Sequence, residues 1–304
     1  MSILRPSRTG MLYAVLACIS FLTLQHPTVL AQGILTPPGA PAPTMKTLAQ
    51  IEPRIPIASL PFTINLGGSY YVTTNLTGVF NTNGITINAD GVTLDLNGFE
   101  LASGGGNSGV LVADGVRGVC VRNGSMSGWS TAVSAFNCVN CRFENLRMLD
   151  NSGTISAGSN CVIAMCMLQD NNTGLFAYGG SRIQDCVVAG TSGVGINTTD
   201  ASTIQNCIVR QSLTTGIFLG NDCTVSDCVV QTNGGTGIYA ADRSSIRNCS
   251  VSWNFGYGIQ VGVDSVIKNC TSIGNFVDGI NGDDRCMVEQ CNVSQNGQSG
   301  IHQG

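Results

Sequence analysis

The chain has 304 residues, with 14 Lys and Arg against 18 Asp and Glu, a formal net charge of −4, and only 11% charged residues. With no basic excess and no run of Lys or Arg it has no surface to neutralise phosphates, which excludes a nucleic-acid binder. Its 43% hydrophobic content can bury a substantial core, which excludes a disordered chain, and 39 Gly with 14 Cys set it apart from an ordinary globular enzyme.

In chain order, residues 1–31 read as an export signal. Arg5 and Arg8 give a positive start, an apolar stretch runs from Met11 to Leu24, and Val29-Leu30-Ala31 makes a small-residue cleavage site. The expected location is therefore secreted, periplasmic or on the cell surface. Val15-Leu16-Ala17-Cys18 loosely resembles a lipid-attachment box, but the apolar run continues past Cys18, where a lipidated cysteine should close it. That run is too short to span a bilayer, and no later segment is long and apolar enough, so no membrane span is expected. Residues 32–61 hold seven of the nine prolines and read as a linker or extended arm. From Phe62 to Gly304 there is no proline, as uninterrupted inter-strand hydrogen bonding requires, and 62–304 is the expected folded domain.

That domain is a repeat with a period of 21 residues. Cys186, Cys207, Cys228, Cys249, Cys270 and Cys291 form one column. Gly174, Gly195, Gly216, Gly237, Gly258, Gly279 and Gly300, each followed by Leu or Ile, form another in phase with it. Upstream the spacing loosens around Gly84-Ile85 and Gly109-Val110, and about ten coils are expected in all. Segments such as Ile204-Gln-Asn-Cys207-Ile-Val209 place β-branched residues and Cys inward with polar residues between, the pattern of short strands. Three residues after each Val comes a polar turn position: Asn151, Asn171, Thr191, Ser212, Asn233, Asn254, Asn275 and Asn296. Stacked amides there can hydrogen-bond along the axis and tolerate the left-handed backbone of a sharp corner. A second polar column, Asp185, Asn206, Asp227, Asn248, Asn269 and Gln290, falls at a bend inside the strand segment.

A leucine-rich repeat fits the period but not the composition, since only Leu213 and Leu219 occur between Ser181 and Gly304 and no helix pattern follows. A hexapeptide helix fails for want of a six-residue beat. The columns, together with Val92-Thr-Leu-Asp-Leu-Asn-Gly98-Phe-Glu-Leu101 and Val119-Cys-Val-Arg-Asn-Gly124, resemble the right-handed parallel β-helix repeat family of the pectate-lyase-like superfamily. The resemblance covers about residues 60 to 304, and the Pro-rich arm is similar to leaders of exported bacterial members. It implies an all-β solenoid and a polysaccharide as the default partner, bound, cleaved or epimerised.

The chemistry has few candidates. His26 lies in the signal and His302 is third from the end, which leaves no basis for a histidine base or a His-rich metal site. Neither the adjacent-aspartate signature of polygalacturonases nor the Arg-x-Pro-x-x-Arg of pectate lyases is found. At one corner Asp200, Asn221, Asp242, Val263 and Asp284 stack beside Asp222, Arg243, Asp264 and Arg285. Functionally this would be a ridge with Asp242, Asp283 and Asp284 as calcium ligands and Arg243 or Arg285 facing a uronate. Structurally it would be a solvated ladder of weak ion pairs, the reading the alternation favours. Arg247 and Lys268, in the outward column Gln184, Gln205, Ser226, Arg247, Lys268 and Glu289, are the candidate bases for a lyase or epimerase, with pairing of Lys268 to Glu289 the plainer alternative. Phe176, Phe218 and Tyr239 form an outward aromatic column that could meet sugar faces or pack under a loop.

The column cysteines should point inward as small apolar residues, and Cys161, Cys223 and Cys286 share a position with Ser181, Ser202, Ser244 and Ser265, which marks it as small and inward too. Cys138-Val-Asn-Cys141 has metal-like spacing without a second pair. The chain stops at Gly304 midway round a coil, which predicts either a longer protein or self-association through an uncapped C-terminal coil. These readings add up to an exported, noncatalytic carbohydrate-binding or structural surface protein. The alternative is a polysaccharide lyase, epimerase or hydrolase acting on an acidic glycan, with calcium as its cofactor.

Overall fold

The computed structural model describes residues 52–304; the expected signal at 1–31 and most of the Pro-rich arm lie outside the described residues. Among the described residues every regular element is a strand, and all strand pairs are parallel. The strands stack into three ladders that wind round one core as a parallel β-helix. Sheet 1 holds segments such as Ile217–Leu219, sheet 2 segments such as Thr224–Ser226, and sheet 3 segments such as Val229–Gln231.

Sheet 1 runs through 12 rungs, from Phe62–Ile64 to Ile301–Gln303. This exceeds the expected count of about ten coils, because the early coils, though irregular in length, are complete rungs that the 21-residue columns do not mark. Ile85 pairs with Val110, Val110 with Val133 and Val133 with Ile155, steps of 25, 23 and 22 residues. The step shortens to 20 where Ser156 pairs with Phe176, then settles at 21. Larger core residues fill the wide early coils: Trp129 and Phe143 are fully buried, and Trp129 Nε1 donates to the Leu101 carbonyl at 2.8 Å. Upstream of the Phe62 boundary, Ile55–Ile57 already pairs with Tyr70–Val72. Arg54 lies over the Tyr71 ring at 4.6 Å and reaches Asp95 at 3.6 Å. Asp95 in turn accepts the Asn97 N–H at 2.8 Å, which accounts for the Leu-Asp-Leu-Asn-Gly stretch.

Alternation sets the faces. In sheet 1 the central residue of each rung points out and its neighbours in, as in Ile217-Phe218-Leu219; in sheets 2 and 3 the central residue points in. Between sheets 2 and 3 the chain bends at Asp185, Asn206, Asp227, Asn248, Asn269 and Gln290, which all have φ between 51° and 58°. After sheet 3 the left-handed residue is Gln211, Thr232, Trp253 or Gln295, one position before the stacked amide. The sequence reading placed that conformation on the amide itself. The amide points inward instead, and Asn233, Asn254 and Asn275 are all at most 1% exposed.

The Gly column of sheet 1 is needed for close approach rather than for φ. A Cβ on Gly237 would stand 2.5 Å from Val251 Cγ1, 2.6 Å from the Gly258 carbonyl oxygen and 2.7 Å from Asn254 Nδ2. The glycine therefore sits where sheet 3 and the amide ladder press against the start of sheet 1. At the last coil the inward residues Val288, Cys291 and Val293 are only half-buried, whereas Ile267 and Cys270 one coil earlier are 0% and 1% exposed.

Candidate functional site

The corner between sheets 1 and 2 carries the acidic ridge. Its left-handed positions, Asp222, Arg243, Asp264 and Arg285, project outward and pair two by two. Arg243 Nε and Nη2 donate to Asp222 at 2.8 and 3.0 Å, and Arg285 makes the same fork to Asp264 at 2.6 and 2.8 Å. Each guanidinium holds its carboxyl below the usual aspartate value, Asp222 through Arg243 and Asp264 through Arg285. Both arginines are thus occupied, leaving neither fork open to a uronate. The neighbouring column is tied to backbone: Asp200 Oδ1 accepts the Asn221 N–H at 2.7 Å, and Asp242 Oδ1 accepts the Val263 N–H at 3.1 Å. Asp242 and Asp284 are separated by two coils, so Asp242, Asp283 and Asp284 do not converge. Among the described residues, the one group of three or more potential ligands whose donor atoms meet is Cys138, Cys141 and Cys161.

On the outward face of sheet 2, Arg247 Nε donates to Ser245 Oγ at 2.9 Å, and Lys268 Nζ pairs with Glu289 at 2.9 Å. The two candidate bases are therefore each held by a neighbour. At the adjoining bend, Gln184, Asp185, Gln205, Asn206 and Asp227 line a shallow polar depression. Asn206 Nδ2 donates to Asp185 at 2.7 Å and Asn248 Nδ2 to Asp227 at 3.1 Å. The Asn248 bond, helped by Ser226, holds the Asp227 carboxyl below its usual value. A general acid needs the opposite shift.

The sheet 1 face carries the aromatics. Phe218 and Tyr239 stack in parallel with centroids 4.8 Å apart, and Phe136 stacks on Phe176 at 5.6 Å with Tyr178 edge-on to both. Asn197 separates the two groups in the register. Rings stacked along the axis cover one another's faces and turn their edges outward, so a sugar would find ring faces only at the ends of each stack.

A further site lies on the turn from sheet 3 to sheet 1. Trp253, Phe255 and Phe276 are 60%, 66% and 71% exposed and line a notch of about 470 Å³. The Trp253 indole packs over Gly274, whose missing Cβ would stand 2.7 Å from the ring. The buried amides of Asn254 and Asn275 floor the notch, and the polar side chains of Thr232 and Gln295 edge it. The sequence reading missed this site. Its signal was Leu213, Phe255 and Phe276, large apolar residues in register at a turn column that Gly234 and Gly297 occupy elsewhere.

The class of fold is now defined: the described residues form a right-handed parallel β-helix. A family model described as right-handed beta helix region matches residues 199–304. No curated protein matches the sequence. Similar solved structures include the A-module of the Azotobacter vinelandii mannuronan C-5 epimerase AlgE4, at 15% identity and TM-score 0.56, covering 78% of this chain and 88% of that one. The periplasmic alginate epimerase AlgG is similar at 13% identity and TM-score 0.57, over 82% of this chain and 77% of that one. The catalytic domain of a GH87 alpha-1,3-glucanase, solved with tetrasaccharides, is similar at 12% identity and TM-score 0.56, over 82% and 61%. At these identities the likeness is one of fold. Among the described residues no helix is long and apolar enough to cross a membrane.

Proposed function

We propose that the chain is an exported, noncatalytic glycan-binding β-helix that holds a neutral polysaccharide in the notch of Trp253, Phe255 and Phe276. The observation that carries this reading is the exposed indole, set over Gly274 at the side of a cavity large enough for a sugar unit. Aromatic faces meet the C–H faces of sugars, and the polar tips of Thr232 and Gln295 can bond their hydroxyls. Similar folds that act on alginate or alpha-1,3-glucan make a glycan the natural occupant. A neutral chain is favoured over an acidic one because the protein is net acidic and Arg243 and Arg285 are engaged by Asp222 and Asp264. Phe176, Phe218 and Tyr239 on sheet 1 are the second contact surface in this reading. The lyase or epimerase alternative would have to release Lys268 from Glu289 or Arg247 from Ser245 before either could take a proton.

Affinity electrophoresis and calorimetry against soluble neutral and uronate polysaccharides test the proposal. Binding to a neutral chain should be lost in Trp253→Ala and Phe276→Ala while the thermal midpoint stays put, and Tyr239→Ala reports separately on sheet 1. Unchanged affinity in Trp253→Ala, no binding to any neutral chain, or appearance of unsaturated uronate products would overturn it.

A further inference from the structure

Cys138, Cys141 and Cys161 meet inside the core at the corner between sheets 1 and 2, apart from the glycan notch. Cys138 and Cys141 flank a tight turn in which Asn140 has a φ of 57°. Cys161 comes from the next coil and stacks on Cys141, because Val162 pairs with Arg142. All three are 1% exposed. Their sulfurs lie within 4.8 Å of one another, with Cys138 and Cys161 at 3.7 Å. Three sulfurs held about 2.3 Å from a central ion stand about 4 Å apart in a trigonal plane, so the triangle needs little adjustment to close on a metal. Cys141 Sγ donates to the Val139 carbonyl at 3.6 Å and Cys161 Sγ to the Ser159 carbonyl at 3.4 Å, bonds that these thiols give up when they turn to an ion.

We propose that these three cysteines form a buried site for a soft, thiophilic metal ion of low coordination number, for which Cu(I) is the best fit. Zn(II) in a structural site takes four ligands, and this enclosed corner offers three thiols and no Asp, Glu or His. All-thiolate sets suit Cu(I). On binding, each coordinating sulfur gives its proton to solvent and a lone pair to the ion, with no change in oxidation state. Because each thiol must lose its proton to coordinate, the ion competes with protons and binding weakens as pH falls.

Because the trio is enclosed, the full chain is loaded by anaerobic refolding with one equivalent of Cu(I) and then challenged with bicinchoninate. The expected result is one ion retained per chain, a sulfur-to-copper absorption band, three sulfur neighbours by X-ray absorption, and a raised thermal midpoint. Cys161→Ser and Cys141→Ser put a hydroxyl in the column where Ser181 and Ser202 already sit, so they should fold and lose the ion. Cys228→Ser, in the separate cysteine row, should keep it. The proposal is overturned by failure to retain Cu(I), by preferential retention of Zn(II), or by equal loss in Cys228→Ser. A thiol count showing Cys138 and Cys161 joined as a disulfide would also overturn it.

Discussion

Asn254 Oδ1 accepts two hydrogen bonds from the same residue one coil earlier, the Asn233 backbone N–H at 3.0 Å and Asn233 Nδ2 at 2.9 Å. Asn275 does the same for Asn254, at 3.1 and 3.0 Å. Each amide thus accepts from the coil before it and donates to the coil after it, inside a turn closed to water. Asn254→Leu leaves two donors of Asn233 buried without a partner and should cost about 2–4 kcal/mol in urea unfolding. Asn254→Thr should cost less, because Thr191 Oγ1 already bonds Ser212 Oγ at 3.0 Å and shows that a hydroxyl rung is tolerated. Equal losses in the two variants would mean that packing, not the amide acceptor, sets the cost.

The glycine beside that ladder gives an independent test. Gly237 does not have the positive φ that would demand glycine, yet its missing Cβ would press on Val251, Gly258 and Asn254. Gly237→Ala should destabilise by about 1–3 kcal/mol through overpacking. Gly91→Ala, where φ is 64° and nothing stands within 4 Å, would be strained by conformation alone. Val251→Ala should partly rescue Gly237→Ala and leave Gly91→Ala unrelieved, which a double-mutant cycle reads directly.

The ridge should respond to pH with a definite sign. Asp222 and Asp264 ionise below their usual value in the folded state because Arg243 and Arg285 grip them. Whatever stability they add is present above the unfolded aspartate value near about 3.9 and is lost as pH falls through the lower folded value. Both pairs are fully solvated, so the contribution is small and screened. Asp222→Asn with Asp264→Asn should lower the thermal midpoint slightly at neutral pH and low salt, and match the parent both in 1 M salt and at strongly acid pH. Because Asp242, Asp283 and Asp284 do not converge, millimolar calcium should leave the midpoint of the parent unchanged. A calcium-dependent rise abolished by Asp242→Ala would show instead that these carboxylates gather round the ion.

The periodic columns of Cys and Gly made a solenoid legible, and the near absence of leucine and of any helix pattern in the repeat singled out the β-helix among solenoids. What escaped were features that depend on neighbouring coils differing. The early coils step by 25, 23 and 22 residues round a core that holds Trp129 and Phe143, so the 21-residue columns do not mark them and their rungs go uncounted. The Trp253 notch arises where glycine replaces a bulky turn residue in the next coil, a contrast that periodicity averages away. Cys161 joins Cys138 and Cys141 through a 20-residue step, one short of the period. The candidate bases Arg247 and Lys268 could be named from the sequence, but their partners Ser245 and Glu289 show only in three dimensions.

Two columns of small inward residues should react oppositely to the same substitution. Cys223 shares its column with Ser202 and Ser244; the Ser202 N–H points at Cys223 Sγ at 3.4 Å, and Ser244 Oγ accepts the Cys223 N–H at 3.3 Å. A hydroxyl is at home there, so Cys223→Ser should be nearly neutral. Cys228 belongs to the row Cys166, Cys186, Cys207, Cys228, Cys249, Cys270 and Cys291, flanked by Ile, Val and other sulfurs, and is 1% exposed. Cys228→Ser forfeits sulfur contacts and sets a hydroxyl in an apolar row, and should cost about 1–2 kcal/mol. Neighbouring sulfurs hold the thiols of Cys166, Cys207 and Cys249 above their usual value and those of Cys186, Cys228 and Cys270 below it, so what keeps the row unreactive in the folded chain is burial, with Cys166 through Cys270 at most 2% exposed. Parallel stacking also keeps successive Cβ atoms near the coil spacing of about 4.8 Å, beyond the range a disulfide needs. Thiol counting should therefore find Cys166 through Cys270 silent in buffer and fully titratable in denaturant, with the half-buried Cys291 the exception. A row found oxidised in the folded protein, or a Cys223→Ser variant as unstable as Cys228→Ser, would contradict this account of what the sulfurs do.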